Sequence, residues 1–304
     1  MPQFSYGALS PVTHFTARKF AALSAASAMR PPQFDAYAIL PSVLEDDNQG
    51  DFNACVGFAT AQVVRYVLVK AGFPDPGQLS PWMVWALTRQ QGSNLGQNVG
   101  VDLHDALTIV RNVGICKLAL MPDPGGDLAA LPSAAALNDA QAQTGIEFYQ
   151  AADLDELLTG MGTLGVPGDL AIAVYDDFEH PLSDDTIGPI SGAVLGYHNV
   201  LIRSYDDRTR TAVLHNQWGD SWAPQDEVIV TYDQINAIWS QGWVVTHPNI
   251  PVPQSVPSSI NPTDKIWKWT GDIAAYCLQA DDATRASLAR QVIAALQAWY
   301  PGAQ

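Results

Sequence analysis

The chain has 304 residues and 47% hydrophobic composition, with 15 Lys plus Arg against 31 Asp plus Glu and a formal net charge of −16. That length supports a large buried core, in one two-lobed domain or two small ones. The acid excess lacks the basic face a general nucleic-acid binder needs and disfavours anionic membrane surfaces. No run reaches the ~18 apolar residues of a membrane span, so no membrane partner is expected.

Residues 1–33 form an Ala/Ser-rich arm without the apolar core of a secretory signal, so the protein is expected to be cytoplasmic or exported without a classical signal peptide. A short helix is expected within residues 16–29. The arm reads either as a bland extension or as an inhibitory plug. Residues 34–43 look extended and lead into the acidic turn Glu45-Asp46-Asp47.

Residues 48–71, NQGDFNACVGFATAQVVRYVLVKA, open as a polar turn and close as an apolar run at helical spacing. Cys55 sits at the join, where the positive end of the helix dipole and unpaired N–H groups favour thiolate over thiol. Asn53 reads as the N-cap. Gln49 brings a side-chain amide donor to the same end. An activated sulfur beside a donor is suited to acyl transfer through a thioester. Three cysteines, Cys55, Cys116 and Cys277, are too few for a disulfide framework and form no zinc-like cluster. They suggest thiols in a reducing compartment, and no cofactor or metal is expected.

A second helix starts at Ser80-Pro81 and runs to about Gln90. A Gly/Asn-rich loop covers residues 92–100, and a third helix covers residues 102–112. Residues 121–145 read as a long loop with one short helix, and residues 153–161 as another helix. The pattern then turns to strands at 170–175, 194–204, 210–216, 227–232 and 242–246. A Pro/Ser linker over 248–262 precedes an amphipathic helical tail.

A nucleophilic cysteine needs a base, and the base needs an orienting partner. His198 lies in the second strand and Asn216 ends the third. A hairpin through Asp206-Asp207 would set them side by side, with the Asn216 oxygen accepting from the imidazole and Trp218 shielding that bond from water. His215 adjoins Asn216, but strand alternation points it to the other face.

With these residues in place, the chain resembles the papain-like cysteine peptidases, in the style of their compact bacterial members. Gln49 stands six residues before Cys55, as in the family's nucleophile motif. Tyr197-His198-Asn199-Val200-Leu201 is similar to its Gly-His-Ala-Val-Leu, and Asn216-Gln217-Trp218-Gly219 to its Asn-Ser-Trp-Gly. Asn98-Val99-Gly100 resembles its substrate-binding Asn-Gly-Gly, with Val101 where the second Gly would follow. Phe52 replaces the usual half-cystine before the nucleophile, Val56 the aromatic after it, and Gln217 the Ser after the Asn. The resemblance covers residues 34–246 in the order Cys, His, Asn.

It implies an α+β, papain-like two-lobed fold: a helical lobe over about 34–150 and an antiparallel β-sheet or barrel lobe over about 151–247. Residues 248–304 would be a helical C-terminal extension. It further implies Cys55 as nucleophile, His198 as base and acid, Asn216 as orienter and Gln49 as oxyanion donor. Gly100 and Trp218 would line the substrate site, and the partner would be a protein or peptide substrate. Acyl transfer to another acceptor, ligation, or a catalytically silent binding role use the same residues. Oligomeric state is not legible.

Overall fold

In the computed structural model, which describes residues 4–10, 17–23, 30–39 and 48–252, the cysteine-bearing segment is the 16-residue helix Cys55–Lys70. Residues 55–68 are buried without a break. A helix apolar on every side must be enclosed by its neighbours. Before it come a short strand, β1 (Gln33–Asp35), and one helical turn, α1 (Ala36–Ile39); the cysteine helix is α2. Residues 34–43 were expected to be extended throughout; the pairing ends at Asp35, whose carboxylate accepts from the Tyr37 N–H at 2.9 Å and turns the chain into α1.

Helix α3 (Pro81–Gln91) starts where expected, with the Ser80 hydroxyl accepting from the Met83 N–H and Pro81 at the first position. Helix α4 (Leu103–Val113) is capped by Asp102 and stopped at Gly114, and α5 (Ala134–Ala140) is the short helix in the long loop. Both α3 and α4 pack on α2.

The rest is built on one sheet. Strand β2 (Glu147–Ala151) is followed by α6 (Leu154–Leu164), β3 (Gly168–Val174), the short α7 (Asp176–Glu179), β4 (Gly196–Asp206) and β5 (Thr211–His215). Strand β6 (Glu227–Thr231), α8 (Tyr232–Ile238) and β7 (Trp239–Thr246) complete it. The order is β2-β7-β3-β4-β5-β6, with β1 also paired to β4, and every pairing is antiparallel. Its ends, β2 and β6, do not meet, so the lobe is an open sheet rather than a barrel. All seven residues of β3 are buried, because α2 packs against this strand and so do α6 and α8. That accounts for its continuous apolar run.

Strand β2 and helix α8 were absent from the sequence reading. EFYQA is short, and α8 begins in a run that reads as strand until the Thr231–Gln234 capping box turns it. Of the helix expected within residues 16–29, the described part shows a 3₁₀ turn at Phe20–Ala22. The linker beyond residue 252 and the helical extension lie outside the described residues. No helix among the described residues is long and apolar enough to cross a membrane.

Candidate active site

Helix α2 delivers Cys55 at its first position. The N-cap is Ala54, which has no capping side chain, rather than Asn53 as expected. Asn53 is engaged elsewhere: its N–H donates to Asn98 Oδ1 (2.9 Å) and its side chain to the Asn98 carbonyl (2.8 Å), while Asn98 Nδ2 donates to the Asp51 carbonyl (2.9 Å). The helix entrance is thus laced to the loop carrying Gly100. Helix α3 holds that loop from behind. Trp85 Nε1 donates to the Val99 carbonyl (3.0 Å), and Arg89, stacked on Trp85, donates to the Gln97 carbonyl (2.7 Å).

The sheet delivers the base. Strands β4 and β5 pair through Leu201 and His215, which brings the chain beyond β5 back beside His198. His198 and Asn216 are fully buried, and His198 Nε2 lies 2.5 Å from Asn216 Oδ1. The Asn216 N–H donates to the Asp226 carbonyl (2.8 Å) and the Trp218 N–H to Asp226 Oδ1 (3.1 Å), so one buried aspartate anchors the segment. Trp218 stacks over the imidazole at 4.4 Å. His215 lies on the far side, 3.5 Å from Glu227. The two halves are joined by the Asn48–Trp218 bridge and by the Gln49 N–H donating to the Gln217 carbonyl at 3.0 Å. Gln49, Cys55, His198, Asn216, Trp218 and Gly100 therefore gather in one region.

The expected thiolate is not found. Burial pushes the Cys55 thiol up to about 12, outweighing the N–H groups of Asn199, Gly7 and Val56 that favour the anion. Burial likewise pulls His198 down to about 4, against the opposing effect of Asn216. A dry site penalises both charges. Because an amide oxygen only accepts, Nε2 carries the imidazole proton and Nδ1 is a bare base, without a hydrogen-bond partner among the described residues. Burial therefore favours a thiol and a neutral imidazole in this site.

What excludes water is residues 4–10. The Gly7 N–H donates to Cys55 Sγ at 3.2 Å. Ala8 forms a parallel bridge with Val101: the Val101 N–H donates to the Gly7 carbonyl (2.9 Å) and the Leu9 N–H to the Val101 carbonyl (3.2 Å). The Ala8 N–H donates to the Tyr197 carbonyl (3.2 Å), and Gln49 Nε2 donates to the Ser5 carbonyl (3.0 Å) and to that of Phe52 (2.8 Å). Phe4 stacks on Trp218 at 4.5 Å. Close approach requires glycine. A Cβ on Gly7 would sit 2.4 Å from the Asn53 backbone and 2.8 Å from the Cys55 nitrogen; one on Gly100 would sit 2.5 Å from the Gly7 oxygen; one on Gly196 would meet the Tyr6 ring at 2.7 Å.

The segment is poorly presented for cleavage at the sulfur. The nearest peptide unit, Tyr6–Gly7, turns its N–H to Sγ, and a trans peptide points its carbonyl the other way. Sequence reasoning left the arm's role open. The signal present was FSYGAL, a glycine among aromatic and apolar residues in an otherwise bland stretch. Cys116 is buried and Cys277 lies outside the described residues.

No protein-family model and no curated protein matches the sequence. Solved structures do. Xylellain, a cysteine protease from Xylella fastidiosa, superposes with a TM-score of 0.69 at 19% identity, over 80% of this chain and 96% of its own. Digestive procathepsin L2 proteinase from Tenebrio molitor larval midgut gives 0.64 at 20%, over 80% and 78%. Procathepsin B S9 from Trypanosoma congolense gives 0.59 at 16%, over 80% and 86%. The chain has the papain-like fold.

Proposed function

We propose that the protein is a cysteine peptidase acting on protein or peptide substrates, held latent by its own residues 4–10. Residues 34–247 would be the peptidase domain, residues 1–33 the arm that closes it, and residues 248–304 an extension. The observation that supports the reading is a buried imidazole whose Nε2 is bonded to Asn216 and whose Nδ1 is bare, borne on the strand whose Tyr197 carbonyl holds Ala8 next to the Gly7 N–H on the Cys55 sulfur. Such a base is suited to taking the thiol proton once the two groups meet.

Once residues 4–10 withdraw, the Cys55 proton passes to His198 Nδ1 and the sulfur attacks a substrate carbonyl. Gln49 Nε2, released from the Ser5 carbonyl, and the Cys55 N–H receive the oxyanion. The imidazolium gives its proton to the leaving amine as the C–N bond breaks and a thioester forms. Water, losing a proton to His198, attacks the thioester; the acid departs and the thiol is restored. Asn216 keeps the ring oriented through both proton transfers. Val101 and the Tyr197 carbonyl, which now bind the Gly7–Leu9 backbone, would bind the substrate backbone in its place.

The test is hydrolysis of a fluorogenic peptide mixture by full-length Gly7→Leu, whose added side chain cannot fit against Asn53. Hydrolysis that vanishes on adding Cys55→Ala is expected. Hydrolysis that survives in the double variant, or its complete absence together with no epoxide labelling of Cys55, contradicts the proposal.

A further inference from the structure

Beside Asn199, the residue after His198, lies a buried carboxyl that the mechanism above does not use. Asp169 is the second residue of β3 and is fully buried. Asn199 Nδ2 donates to Asp169 Oδ1 at 2.7 Å, and Asn199 is itself fully buried. The register explains the meeting: Asp169 pairs with Leu201 and Ala171 with Asn199, so Asp169 and Asn199 are diagonal neighbours on one face. Asn199 follows His198 directly, and its backbone N–H is a group that steadies negative charge on Cys55. The side chain of Asn199 is thus tied to Asp169, while its backbone N–H shares the edge of β4 on which the Tyr197 carbonyl receives Ala8, the neighbour of the Gly7 whose N–H meets the sulfur.

We propose that Asp169 is a positioning residue for Cys55, acting through Asn199. The proposal rests on the peptidase reading for its kinetic consequence and on the Asp169–Asn199 bond and the β3–β4 register for its geometry. Asp169 Oδ2 and Asn199 Oδ1 have no hydrogen-bond partner among the described residues. Both are acceptors while the carboxyl is ionised; a protonated carboxyl supplies the O–H that the second oxygen lacks. Burial accordingly raises Asp169 to about 7, opposed by the Asn199 amide.

The charge also reaches the nucleophile, since an ionised Asp169 pushes the Cys55 thiol up. Other groups on the packed elements are otherwise engaged. Strand β7 carries no titratable residue. On β4, His198 owes its lowering to burial, opposed by Asn216, and Arg203 is paired with Asp35 and Glu227. Asp155 of α6 is paired with Arg30, and Tyr232 of α8 donates to Asp207. Asp169 would therefore hold the backbone N–H against the sulfur whether ionised or not, and would ease thiolate formation when neutral.

The experiment uses the full chain in a Gly7→Leu background, with Asp169→Asn and Asp169→Ala added. Alkylation of Cys55 by iodoacetamide is followed by mass spectrometry from pH 5 to 9, so that Cys116 and Cys277 are counted separately, and kcat and KM are measured on a peptide. Asp169→Asn keeps an acceptor for Asn199 and loses the charge. Its alkylation at pH 8 should be several-fold faster than the parent's, the inflection near pH 7 should disappear, and kcat should stay within about threefold. Asp169→Ala frees Asn199, and kcat should fall about tenfold with KM little changed, the loss of an interaction used in the transition state. Parental kcat and parental Cys55 alkylation in a folded Asp169→Ala overturn the proposal; should that variant fail to fold, Asn199→Ala, which breaks the same bond from its other side, must show the same loss or the proposal falls. If the chain cleaves no peptide, the peptidase reading fails while the alkylation profiles still decide the link from Asp169 to the sulfur.

Discussion

Of the three N–H groups that favour an anionic Cys55 sulfur, two come from outside its own helix, and what holds each of those differs. The Gly7 N–H belongs to a segment fixed by three backbone hydrogen bonds to the Val101 and Tyr197 backbones, one bond from Gln49, and an aromatic stack on Trp218. Each such bond contributes about 1 kcal/mol net, so the whole attachment is worth a few kcal/mol. The Asn199 N–H belongs to a strand paired on both sides, whose side chain is anchored to a buried carboxyl. The same chemical group is supplied once removably and once permanently. Removing the first readmits water, which restores the charges that burial now suppresses; removing the second would disturb the sheet itself.

The largest effect should come from breaking the site that both groups serve. In a Gly7→Leu background, Cys55→Ala should lower peptide hydrolysis by at least ~10⁴-fold and abolish epoxide labelling, while circular dichroism stays unchanged. Asn216→Ala should cost ~10²-fold in kcat, since it removes the acceptor that fixes the His198 tautomer.

Proton linkage should then separate removable from permanent. In the closed form His198 is lowered to about 4 and Cys55 raised to about 12. If opening restores ordinary values near 6.5 and 9, the open form binds a proton on His198 as pH falls below 6.5 while the closed form does not. The closed form therefore loses about 1.4 kcal/mol per pH unit down to about pH 4. Above pH 9 the open form releases the Cys55 proton and the closed form again loses ground. Closure should be strongest between about pH 6.5 and 9. Fluorine NMR of a fluorotyrosine at position 6 should show the open population growing toward pH 5; a population constant from pH 8 to 5 breaks the linkage.

The smallest effect belongs to the loop that receives the segment. Asn98→Ala removes two bonds that lace residues 97–101 to the entrance of α2, at about 1 kcal/mol each. It should raise KM several-fold with kcat nearly unchanged; a larger fall in kcat than in affinity would move Asn98 into the chemistry.

Much of the site was legible because its parts are local. Ser80-Pro81 announces α3, an apolar run at helical spacing announces α2, and the hairpin from His198 to Asn216 needs only short-range strand pairing. The papain-like order of Cys, His and Asn added the partners. What could not be read was tertiary. Asn53 has the chemistry of a cap, yet Asn98, 45 residues away, claims it. The thiolate expected from the helix dipole is opposed by burial, the larger effect, and nothing local to Cys55 reveals how fully it is covered. Asp169 falls just outside the strand expected at 170–175, and only the β3–β4 register sets it diagonally beside Asn199. The open sheet rather than a barrel likewise depends on β2 and β6 failing to meet, a long-range property.

Removable closure of a competent site is tested most directly by the rate at which an epoxide labels Cys55 at pH 7.5 in the full-length wild type and in full-length Gly7→Leu. The Leu side chain cannot be seated 2.4 Å from the Asn53 backbone. Labelling should therefore rise by at least ~10-fold, corresponding to a loss of about 1.4 kcal/mol of closure. Equal rates in the two proteins would contradict it.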